Sequence, residues 1–589
     1  MLKQALLLPI LASALTAQPA AFTKLCSSCH GDAGKGSAQG PGLAMNPRVA
    51  EKNIEQLSAY LQQGNPGAGM PSFTDLSAAD MKAVATYIKR LNNDTIVGPV
   101  TVMEPAAPRK TSWPEPGPAD WVTYDGNMTG NRYSLHKQIR TSNVASMKLK
   151  WVFPIAHFGL EVTPLVADGV MYVTGPNQVY AIEALTGNPI WHYSRPQSQG
   201  LAGDARLGTN KGVALLGNKV FFETDNAHLL ALDRGTGKLL WEKNLADRAQ
   251  PYGGTMAPLI VGDLVIVGVA GGDHGIRGFI SAFHAADGEL AWKHWTVPAK
   301  GEPGIETWKG KEPVGGGGST WLTGSYDEAT GTLYWATGNP WPDSDDRDRP
   351  GDNLYTNSVL ALDAKTGQQK WHYQYTPHDV KDRDATEPNV LVDTVYKGKP
   401  SKLLLHADRN GFFYVLDRTN GKVLFTKPFL KRIDWAKEIG ADGRPVVLDP
   451  KGCPGDAANW DSTAYSPETR LYYVLTLEEC VGKPTGYPDQ TGQRFLRAIN
   501  IDSGAIAWEV PQPGAARAKT WSGVLATAGG LVFYGQPNGG FAAVDQKSGK
   551  TLWSFPTNVR MKASPMTFVS GGNQYVAVAA GPMILCFGL

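Results

Sequence analysis

Two cysteines and a histidine near the start of the chain form a pattern with a defined chemistry. Cys26 and Cys29 are separated by two residues, and His30 follows directly. This spacing is typical of covalent haem attachment, in which both thiols form thioethers to the porphyrin and the imidazole binds the iron. A redox pair or half of a zinc site would also bring two cysteines together, but no second such pair follows in the sequence. The pattern therefore predicts a c-type haem.

A methionine is a candidate for the second axial ligand of that haem. Met70 lies between Gly69 and Pro71, which predicts a loop that presents the sulfur atom. Ligation by a thioether and an imidazole suits electron transfer. Apolar residues with helical spacing follow at 75–91, and the stretch resembles the small bacterial cytochromes c. We predict a small all-α cytochrome c domain at 18–96.

The first 17 residues have the features of an export signal. Lys3 precedes an apolar run from Ala5 to Leu15, and small residues allow cleavage after Ala14 or Ala17. The run is too short to span a bilayer comfortably, and no later segment of the sequence is apolar enough to do so. We therefore predict a signal peptide at 1–17, a periplasmic mature protein and no transmembrane segment.

A repeat organises the rest of the chain. Its approximate form is Ala-x-Asp-x-x-Thr-Gly-x-x-x-Trp, which combines a strand end, a glycine turn and a second strand with an aromatic residue. Copies occur at 181–191, 231–241, 282–292, 361–371, 498–508 and 543–553, with a weaker copy at 415–425. Most copies follow another strand pair, and four strands in about 50 residues describe a propeller blade. With a closing strand near Trp151, the seven copies predict eight blades.

The elements that position these residues are thus a helical N-terminal domain and an all-β eight-bladed propeller at 119–589. A linker at 97–118 contains six prolines and is predicted to be extended. The repeat tryptophans are interpreted as packing anchors between blades. The net charge of +2 gives no electrostatic reason to expect nucleic acid or an anionic membrane surface as a partner.

Several motifs of the propeller region resemble one enzyme family. They are DWVTYDG at 120–126, RPGDN at 349–353, TPHD at 376–379 and ADRNGF at 407–412. Together they resemble the alcohol dehydrogenases that use pyrroloquinoline quinone (PQQ), and the chain is identified as a quinohaemoprotein member with its cytochrome ahead of the propeller. In the better-known quinohaemoprotein members the cytochrome follows the propeller.

The resemblance implies a set of site residues. The implied PQQ contacts are Glu161, Lys211, Thr255, Trp321 as the stacking residue, Arg409 and Trp521, and Trp435 is a weaker candidate for lining the pocket. Asp382 matches the base that removes the alcohol proton. The implied cation ligands are Asp273, where relatives usually have Glu, together with Asn339, Asp382 and Asp384. Asp384 matches the extra carboxylate of lanthanide-using members, but carboxylates spaced i, i+2 also occur on solvated loops, so calcium and a lanthanide both remain open.

Some positions depart from the family pattern. Ala205 and Arg206 stand where relatives carry adjacent cysteines, and Lys381 and Arg383 stand beside the base where aromatic residues are more usual. These basic neighbours could lower the pKa of Asp382. Cys453 and Cys480 are candidates for a disulfide in an oxidising compartment. Cys586 is predicted to be buried in the last strand.

The predicted function is the oxidation of an alcohol with PQQ and a calcium or lanthanide ion. Electrons would then pass through the haem to an external acceptor such as a soluble cytochrome. The sequence leaves two alternatives open: a dehydrogenase of a sugar, a polyol or a polymeric alcohol with the same cofactors, and a non-catalytic propeller scaffold that carries a cytochrome.

Overall fold

The chain divides into two compact units. The computed structural model describes residues 18–34, 36–37, 39–44, 46, 49, 52–65, 70–93, 100–105, 113, 117–247, 249–310, 313, 315–480, 487, 492–513 and 522–589. The predicted signal peptide and Trp521 lie outside the described residues. One unit comprises Met1–Val97, Ser198–Ala202 and Asp247–Pro251, and the other comprises Gly98–Gln197, Gly203–Ala246 and Tyr252–Leu589.

The first unit is helical. Its helices are α1 (Ala20–Leu25), α2 (Ser27–His30), α3 (Ile54–Gln63) and α4 (Ala78–Asn93), with a 3₁₀ turn at Asp32–Gly34. Helix α3 begins at a capping box, because the Asn53 side chain accepts a hydrogen bond from the Gln56 amide (2.7 Å) and the Gln56 side chain accepts one from the Asn53 amide (3.0 Å). The apolar helix faces form one core that includes Phe22, Leu57 and Val84. The predicted all-α domain is confirmed.

The second unit begins with three strands and also contains one short helix. The strands are β1 (Thr101–Met103), β2 (Tyr133–Ser134) and β3 (Lys148–Pro154), and the helix is α5 (Gly203–Arg206). Further 3₁₀ turns lie at Val144–Ser146, Gly272–His274 and Ile305–Thr307.

Antiparallel sheets of four sequential strands form the first half of the ring. The first blade contains β4 (Leu165–Ala167), β5 (Val170–Gly175), β6 (Gln178–Glu183) and β7 (Pro189–Ser194). The second contains β8 (Val213–Leu216), β9 (Lys219–Glu223), β10 (His228–Asp233) and β11 (Leu239–Asn244). The third contains β12 (Leu259–Val261), β13 (Leu264–Val267), β14 (Phe279–His284) and β15 (Leu290–Trp295). The fourth contains β16 (Ser325–Asp327), β17 (Thr332–Ala336), β18 (Ser358–Asp363) and β19 (Gln369–Gln374).

The second half of the ring follows the same plan, with one inserted hairpin. The fifth blade contains β20 (Val390–Tyr396), β21 (Lys399–Ala407), β22 (Phe412–Asp417) and β23 (Lys422–Pro428), and the hairpin β24 (Ala436–Ile439) and β25 (Pro445–Val447) follows. The sixth contains β26 (Ala464–Ser466), β27 (Leu471–Glu478), β28 (Gln493–Asn500) and β29 (Ile506–Pro511). The seventh contains β30 (Val524–Thr527), β31 (Leu531–Gly535), β32 (Gly540–Asp545) and β33 (Thr551–Pro556).

The eighth blade closes the ring with strands from both ends of the propeller. It contains β34 (Met566–Ser570), β35 (Asn573–Ala580), β36 (Met583–Gly588) and the early strand β3, in which Trp151 pairs with Cys586. Cys586 is fully buried there. The prediction of an all-β eight-bladed propeller closed by a strand near Trp151 is confirmed. Strands β1 and β2 extend the first and seventh blades by pairing with β7 and β30.

The repeat residues join each blade to the next. The indole N–H of Trp191 donates to the Arg234 carbonyl of the following blade (2.9 Å), and its ring packs on the turn glycine Gly237. Gly237 has a φ of +74°, and a Cβ there would lie 2.5 Å from the ring, so only glycine fits. The same contact of ring on glycine recurs in the pairs Trp151–Gly187, Trp241–Gly288, Trp292–Gly367, Trp371–Gly421, Phe425–Gly504 and Trp508–Gly549. The tryptophans are packing anchors, as the sequence predicted.

Within the described residues, no helix is long and apolar enough to cross a membrane.

Candidate active site and haem site

The haem-attachment residues lie on the first two helices. Cys26 is buried at the junction of α1 and α2, and Cys26 and Cys29 are both free thiols. The Nδ1 atom of His30 lies 2.8 Å from the Pro41 carbonyl oxygen. A carbonyl oxygen only accepts, so Nδ1 carries the hydrogen and Nε2 is left to bind a metal, which is the usual arrangement for a ligating histidine. These residues fit a covalent haem.

Met70 belongs to the same helical unit. It is partly buried and packs against the hydrophobic cluster that contains Cys26. Its backbone is fixed by two hydrogen bonds, from the Asn65 amide to the Met70 carbonyl (2.9 Å) and from the Met70 amide to the Asn65 carbonyl (3.0 Å). The backbone of Met70 is therefore held in place, which fits an axial ligand of the haem.

In the propeller, the predicted base lies on the loop between β19 and β20. The buried carboxylate of Asp379 shapes this loop by accepting hydrogen bonds from the amides of Lys381 (3.1 Å) and Arg383 (2.7 Å). Asp382 lies between them with a φ of +56°, a left-handed conformation that costs free energy in a residue other than glycine. Its side chain is 46% exposed, so its carboxylate is accessible to a substrate.

One guanidinium group gathers the acidic residues of the site. Arg409 donates to the Asp382 carbonyl (3.1 Å) and to Oδ2 of Asp384 (3.1 Å), and it lies 3.8 Å from Oδ1 of Asp382. Its Nε is also 3.6 Å from carboxylate oxygens of Glu387 and Asp456. Four carboxyl groups thus surround a single guanidinium group.

The predicted cation ligands lie around the same group. The backbone N–H of Asn339 donates a hydrogen bond to Oδ1 of Asp384 (2.8 Å), and Asn339 is almost completely buried. Asp273 lies in the 3₁₀ turn Gly272–His274 with an exposed side chain. Burial raises the pKa of Asp384 to about 6; the positive charge of Arg409 opposes the rise and the Asp273 carboxylate adds to it. Partial loss of hydration likewise raises the pKa of Asp382 to about 9; the charge of Arg409 opposes the rise, and the carboxylates of Asp384 and Asp273 add to it. The lowering expected from Lys381 and Arg383 is therefore not found. Crowded oxygen donors of this kind fit a hard cation such as calcium or a lanthanide.

A second group contains the predicted PQQ contacts. The Nζ atom of Lys211 lies 3.2 Å from Oε2 of Glu161, and both side chains are buried. The ammonium group also lies 5.1 Å from the ring centre of Trp321, whose carbonyl accepts a hydrogen bond from the Thr255 hydroxyl (3.4 Å). A buried cation beside a partly exposed aromatic ring suits a flat, carboxylated ligand. These four residues therefore fit PQQ.

Residues 456–461 connect the two groups, and sequence reasoning missed them. Asn459 accepts a hydrogen bond from Arg409 (3.2 Å), whereas the Trp460 ring centre lies 4.6 Å from the Lys211 ammonium. Asn459 also donates to Asp456 (3.0 Å), which lies against Arg409. The sequence pattern that could have identified them is the Asn-Trp-Asp run at 459–461, which lies outside the blade repeat.

Two buried carboxyl groups beside Lys211 add to the fit. Neither side-chain oxygen of Asp461 accepts a hydrogen bond from any described residue, and Oε1 of Glu223 is in the same state. Burial raises the pKa of both groups well above their ordinary values. Buried oxygens without a hydrogen-bond partner are in keeping with a site that takes a polar ligand.

The positions that depart from the family pattern have structural roles. Ala205 is buried on α5 and packs so closely that a Cβ on Gly253 would lie 2.4 Å from the Ala205 Cβ.

Trp435, the weaker candidate for lining the pocket, is 1% exposed, and its indole N–H donates to the Asn410 carbonyl (2.8 Å). Cys453 and Cys480 form a disulfide, with a Cα–Cα distance of 5.4 Å.

Comparison with known proteins places the chain in a family. A family model described as "Glucose/ethanol/alcohol dehydrogenase, beta-propeller domain" matches residues 121–427 and 495–576, and one described as "Cytochrome C oxidase, cbb3-type, subunit III" matches residues 14–88. The chain is 38% identical over 531 residues to the quinoprotein alcohol dehydrogenase PedH of Pseudomonas putida, covering 79% of this chain and 86% of the relative.

Solved structures agree. The quinohaemoprotein alcohol dehydrogenase of Comamonas testosteroni matches with a TM-score of 0.72 and 31% identity over 80% of each chain. A europium-containing methanol dehydrogenase matches with a TM-score of 0.73 and 31% identity, covering 80% of this chain and 98% of that one. These relatives are enzymes, which argues against the non-catalytic scaffold. The chain therefore belongs to the PQQ-dependent alcohol dehydrogenases, as a quinohaemoprotein member with a propeller and a cytochrome c domain.

Proposed function

We propose that this protein is an exported quinohaemoprotein that oxidises an alcohol with Asp382 as the base and delivers the electrons through its own haem to an external acceptor. The proposed cation ligands are Asp273, Asn339, Asp382 and Asp384. The proposed PQQ contacts are Glu161, Lys211, Thr255, Trp321, Arg409 and Trp521, and the proposed haem ligands are Cys26, Cys29, His30 and Met70.

The observation that carries the proposal is the contact of Arg409 with both acidic residues of the loop. Its guanidinium group lies 3.1 Å from Oδ2 of Asp384 and 3.8 Å from the Asp382 carboxylate. The backbone N–H of Asn339 donates a hydrogen bond to the other carboxylate oxygen of Asp384. Arg409, Asp382 and Asp384 thus come together with Asn339 from separate segments of the chain. Such convergence around one guanidinium supports a site for an anionic quinone and a hard cation.

The side chains would divide the work as follows. Asp382, the more exposed of the two acids, would take the hydroxyl proton of the alcohol, while Asp384 stays tied to Arg409 and Asn339. Lys211 and Trp321 lie at the Trp460 end of residues 456–461, whereas Arg409 lies at the Asn459 end. Lys211 and Trp321 would hold the flat ring of PQQ and its carboxylates. When bound, PQQ with its cation supplies a polarised quinone carbonyl that accepts the hydride.

The haem domain supports a role in electron delivery. The Pro41 carbonyl orients the His30 ring for binding to the iron, and backbone hydrogen bonds with Asn65 hold Met70. A covalently attached haem in the same chain would receive electrons at a high effective concentration. We propose a periplasmic location because the sequence of 1–17 has the features of a signal peptide, and an acceptor such as a soluble cytochrome.

Haem reduction tests the proposal. The purified protein is reconstituted with PQQ and either calcium or lanthanum, and the haem absorbance is followed after addition of primary alcohols, polyols and sugars. We expect reduction by alcohols only when PQQ and a cation are both present. Reduction by sugars alone would assign the substrate class to sugars, and no reduction by any compound would overturn the electron path.

A further inference from the structure

The two basic residues that flank the predicted base bind a single distant loop. We call residues 449–456 the brace loop. The Arg383 guanidinium donates to three of its carbonyl oxygens, those of Pro450 (2.9 Å), Gly452 (2.7 Å) and Pro454 (3.0 Å). The Lys381 ammonium donates to a fourth, that of Lys451 (2.7 Å). Four carbonyls of one loop are thus bound by the immediate neighbours of Asp382.

The brace loop is itself fixed. Cys453 ties it to Cys480, at the end of the sixth blade's second strand, through the disulfide. Its Cys453 carbonyl accepts hydrogen bonds from the amides of Asp434 (2.7 Å) and Trp435 (3.2 Å). The Trp435 ring also lies 5.0 Å from the Arg383 guanidinium carbon. A loop held at these points can serve as a rigid support.

The base needs such a support because its own backbone conformation is strained. Asp382 has a left-handed backbone, and the Arg409 guanidinium lies 3.8 Å from its half-exposed carboxylate. Beside it, Arg383 is 1% exposed and forms a buried ion pair with Asp379 (3.3 Å). The strained conformation persists only where its surroundings determine it. Arg409 binds the Asp382 carbonyl (3.1 Å), and Lys381 and Arg383 hold the residues on either side.

We infer that Lys381 and Arg383 are positioning residues, which fix the Asp382 carboxylate by clamping its loop to the disulfide-closed brace loop. The inference rests on the proposed role of Asp382 as the base. A guanidinium group is suited to this task because its planar fork of donors can bind several carbonyls in fixed directions. An aromatic side chain at the same place would fill space but would donate no hydrogen bond to those carbonyls. The departure from the family pattern is therefore a different way to support the base.

Substitution of the clamp tests the inference. For Arg383→Met we expect kcat to fall about 10- to 100-fold with little change in KM, since a small displacement of a reacting group has effects of that size. The deuterium isotope effect on kcat, measured with an alcohol deuterated at the reacting carbon, should rise because C–H cleavage becomes more rate-limiting. Arg383→Lys should recover part of kcat, and Lys381→Met should lower kcat about 2- to 5-fold, as it removes one of four hydrogen bonds. Arg444→Met is the matched control, because Arg444 is an exposed arginine paired with Asp352, and its kcat and isotope effect should not change.

A second measurement needs no cofactor. Hydrogen–deuterium exchange of the full-length protein before reconstitution should become faster in peptides covering 379–384 and 449–456 in both clamp variants, and not in the blades. Should Arg383→Met fail to fold, Lys381→Met carries the test, since its side chain lies at the surface.

The outcomes separate the inference from the proposed function. Loss of kcat with an unchanged isotope effect and unchanged exchange at 379–384 would overturn positioning by the clamp. Wild-type kcat in Arg383→Met would do the same. Wild-type turnover in Asp382→Asn would instead overturn the assignment of the base, whatever the clamp variants do.

Discussion

The turns of the blades and the loop of the base are both capped by an aspartate, but they are held over different distances. In the second blade, Oδ1 of Asp233 accepts hydrogen bonds from the amides of Gly235 (3.1 Å) and Thr236 (2.9 Å) and from the Thr236 hydroxyl (2.7 Å). In the base loop, Asp379 caps the amide of Arg383 in a similar way, but Arg383 then binds carbonyls 67 to 71 residues away.

This difference separates stability from catalysis. A blade turn is complete within a few residues and meets the next blade through one ring and one glycine, so its loss weakens the ring and leaves the site intact. The base loop depends on the brace loop, on the disulfide and on Arg409. Damage to those supports should therefore lower kcat more than it lowers the stability of the blades.

The largest effect is expected from the base itself. Asp382→Asn removes the proton acceptor and should lower kcat about 1000-fold, within the range of general base catalysis. Steady-state kinetics with a primary alcohol measure it, and Asp352→Asn, which changes an exposed carboxylate paired with Arg444, serves as the control. A loss smaller than tenfold would mean that another group takes the proton.

Opening the disulfide should affect both stability and turnover. Cys453→Ser/Cys480→Ser removes a cross-link that spans 27 residues, and loop-closure entropy predicts a loss of about 3 kcal/mol in the free energy of unfolding. Because the brace loop would loosen, kcat should fall as well. Urea unfolding and steady-state kinetics measure the two changes. An unchanged kcat would show that the disulfide does not support the base.

A change in a blade turn should affect stability alone. Gly237→Ala introduces a Cβ 2.5 Å from the Trp191 ring at a φ of +74°, and we expect a loss of about 1–3 kcal/mol with unchanged kcat. Gly217→Ala is the matched control, since Gly217 also has a positive φ and nothing lies within 4 Å of the added carbon. Thermal unfolding of the pair isolates the ring contact. Equal losses in the two variants would refute a specific role for that contact.

The smallest expected effect depends on pH. Glu242 accepts hydrogen bonds from His228 (2.7 Å) and Arg195 (2.8 Å), and they lower its pKa to about 2. A lowered pKa stabilises the folded state above the ordinary value and loses that effect as the pH falls toward 2. Glu242→Gln should therefore cost about 1–2 kcal/mol at pH 5, and the difference from wild type should shrink below pH 4. Urea unfolding across this range measures it; a difference that grows as the pH falls would contradict the pairing.

The propeller was predictable from the sequence because its determinants are local and repeated. Each turn glycine and each aromatic residue occupies the same place in every copy, and the early strand at Trp151 was needed to complete the count of blades. The helical domain was predictable for a similar reason, since the haem-attachment spacing and the apolar pattern at 75–91 lie within one short stretch.

The site was predictable only where a motif carried it. Asp382, Asp384 and Arg409 were identified by resemblance, and the structure places them in contact. The carbonyl partners of Arg383 and the contacts of Asn459 and Trp460 come from segments distant in sequence, and main-chain acceptors leave no trace in residue types. The basic residues beside the base therefore suggested an electrostatic effect, whereas their side chains bind a neighbouring loop.

The most direct test of the central claim is single-turnover haem reduction without oxygen or an external acceptor. The protein, reconstituted with PQQ and the effective cation, is mixed with excess alcohol, and the rate of haem reduction is followed as the protein is diluted about tenfold. Intramolecular transfer predicts a rate that does not depend on protein concentration. A rate that falls in proportion to dilution, or a haem that stays oxidised while alcohol is consumed, would contradict the account.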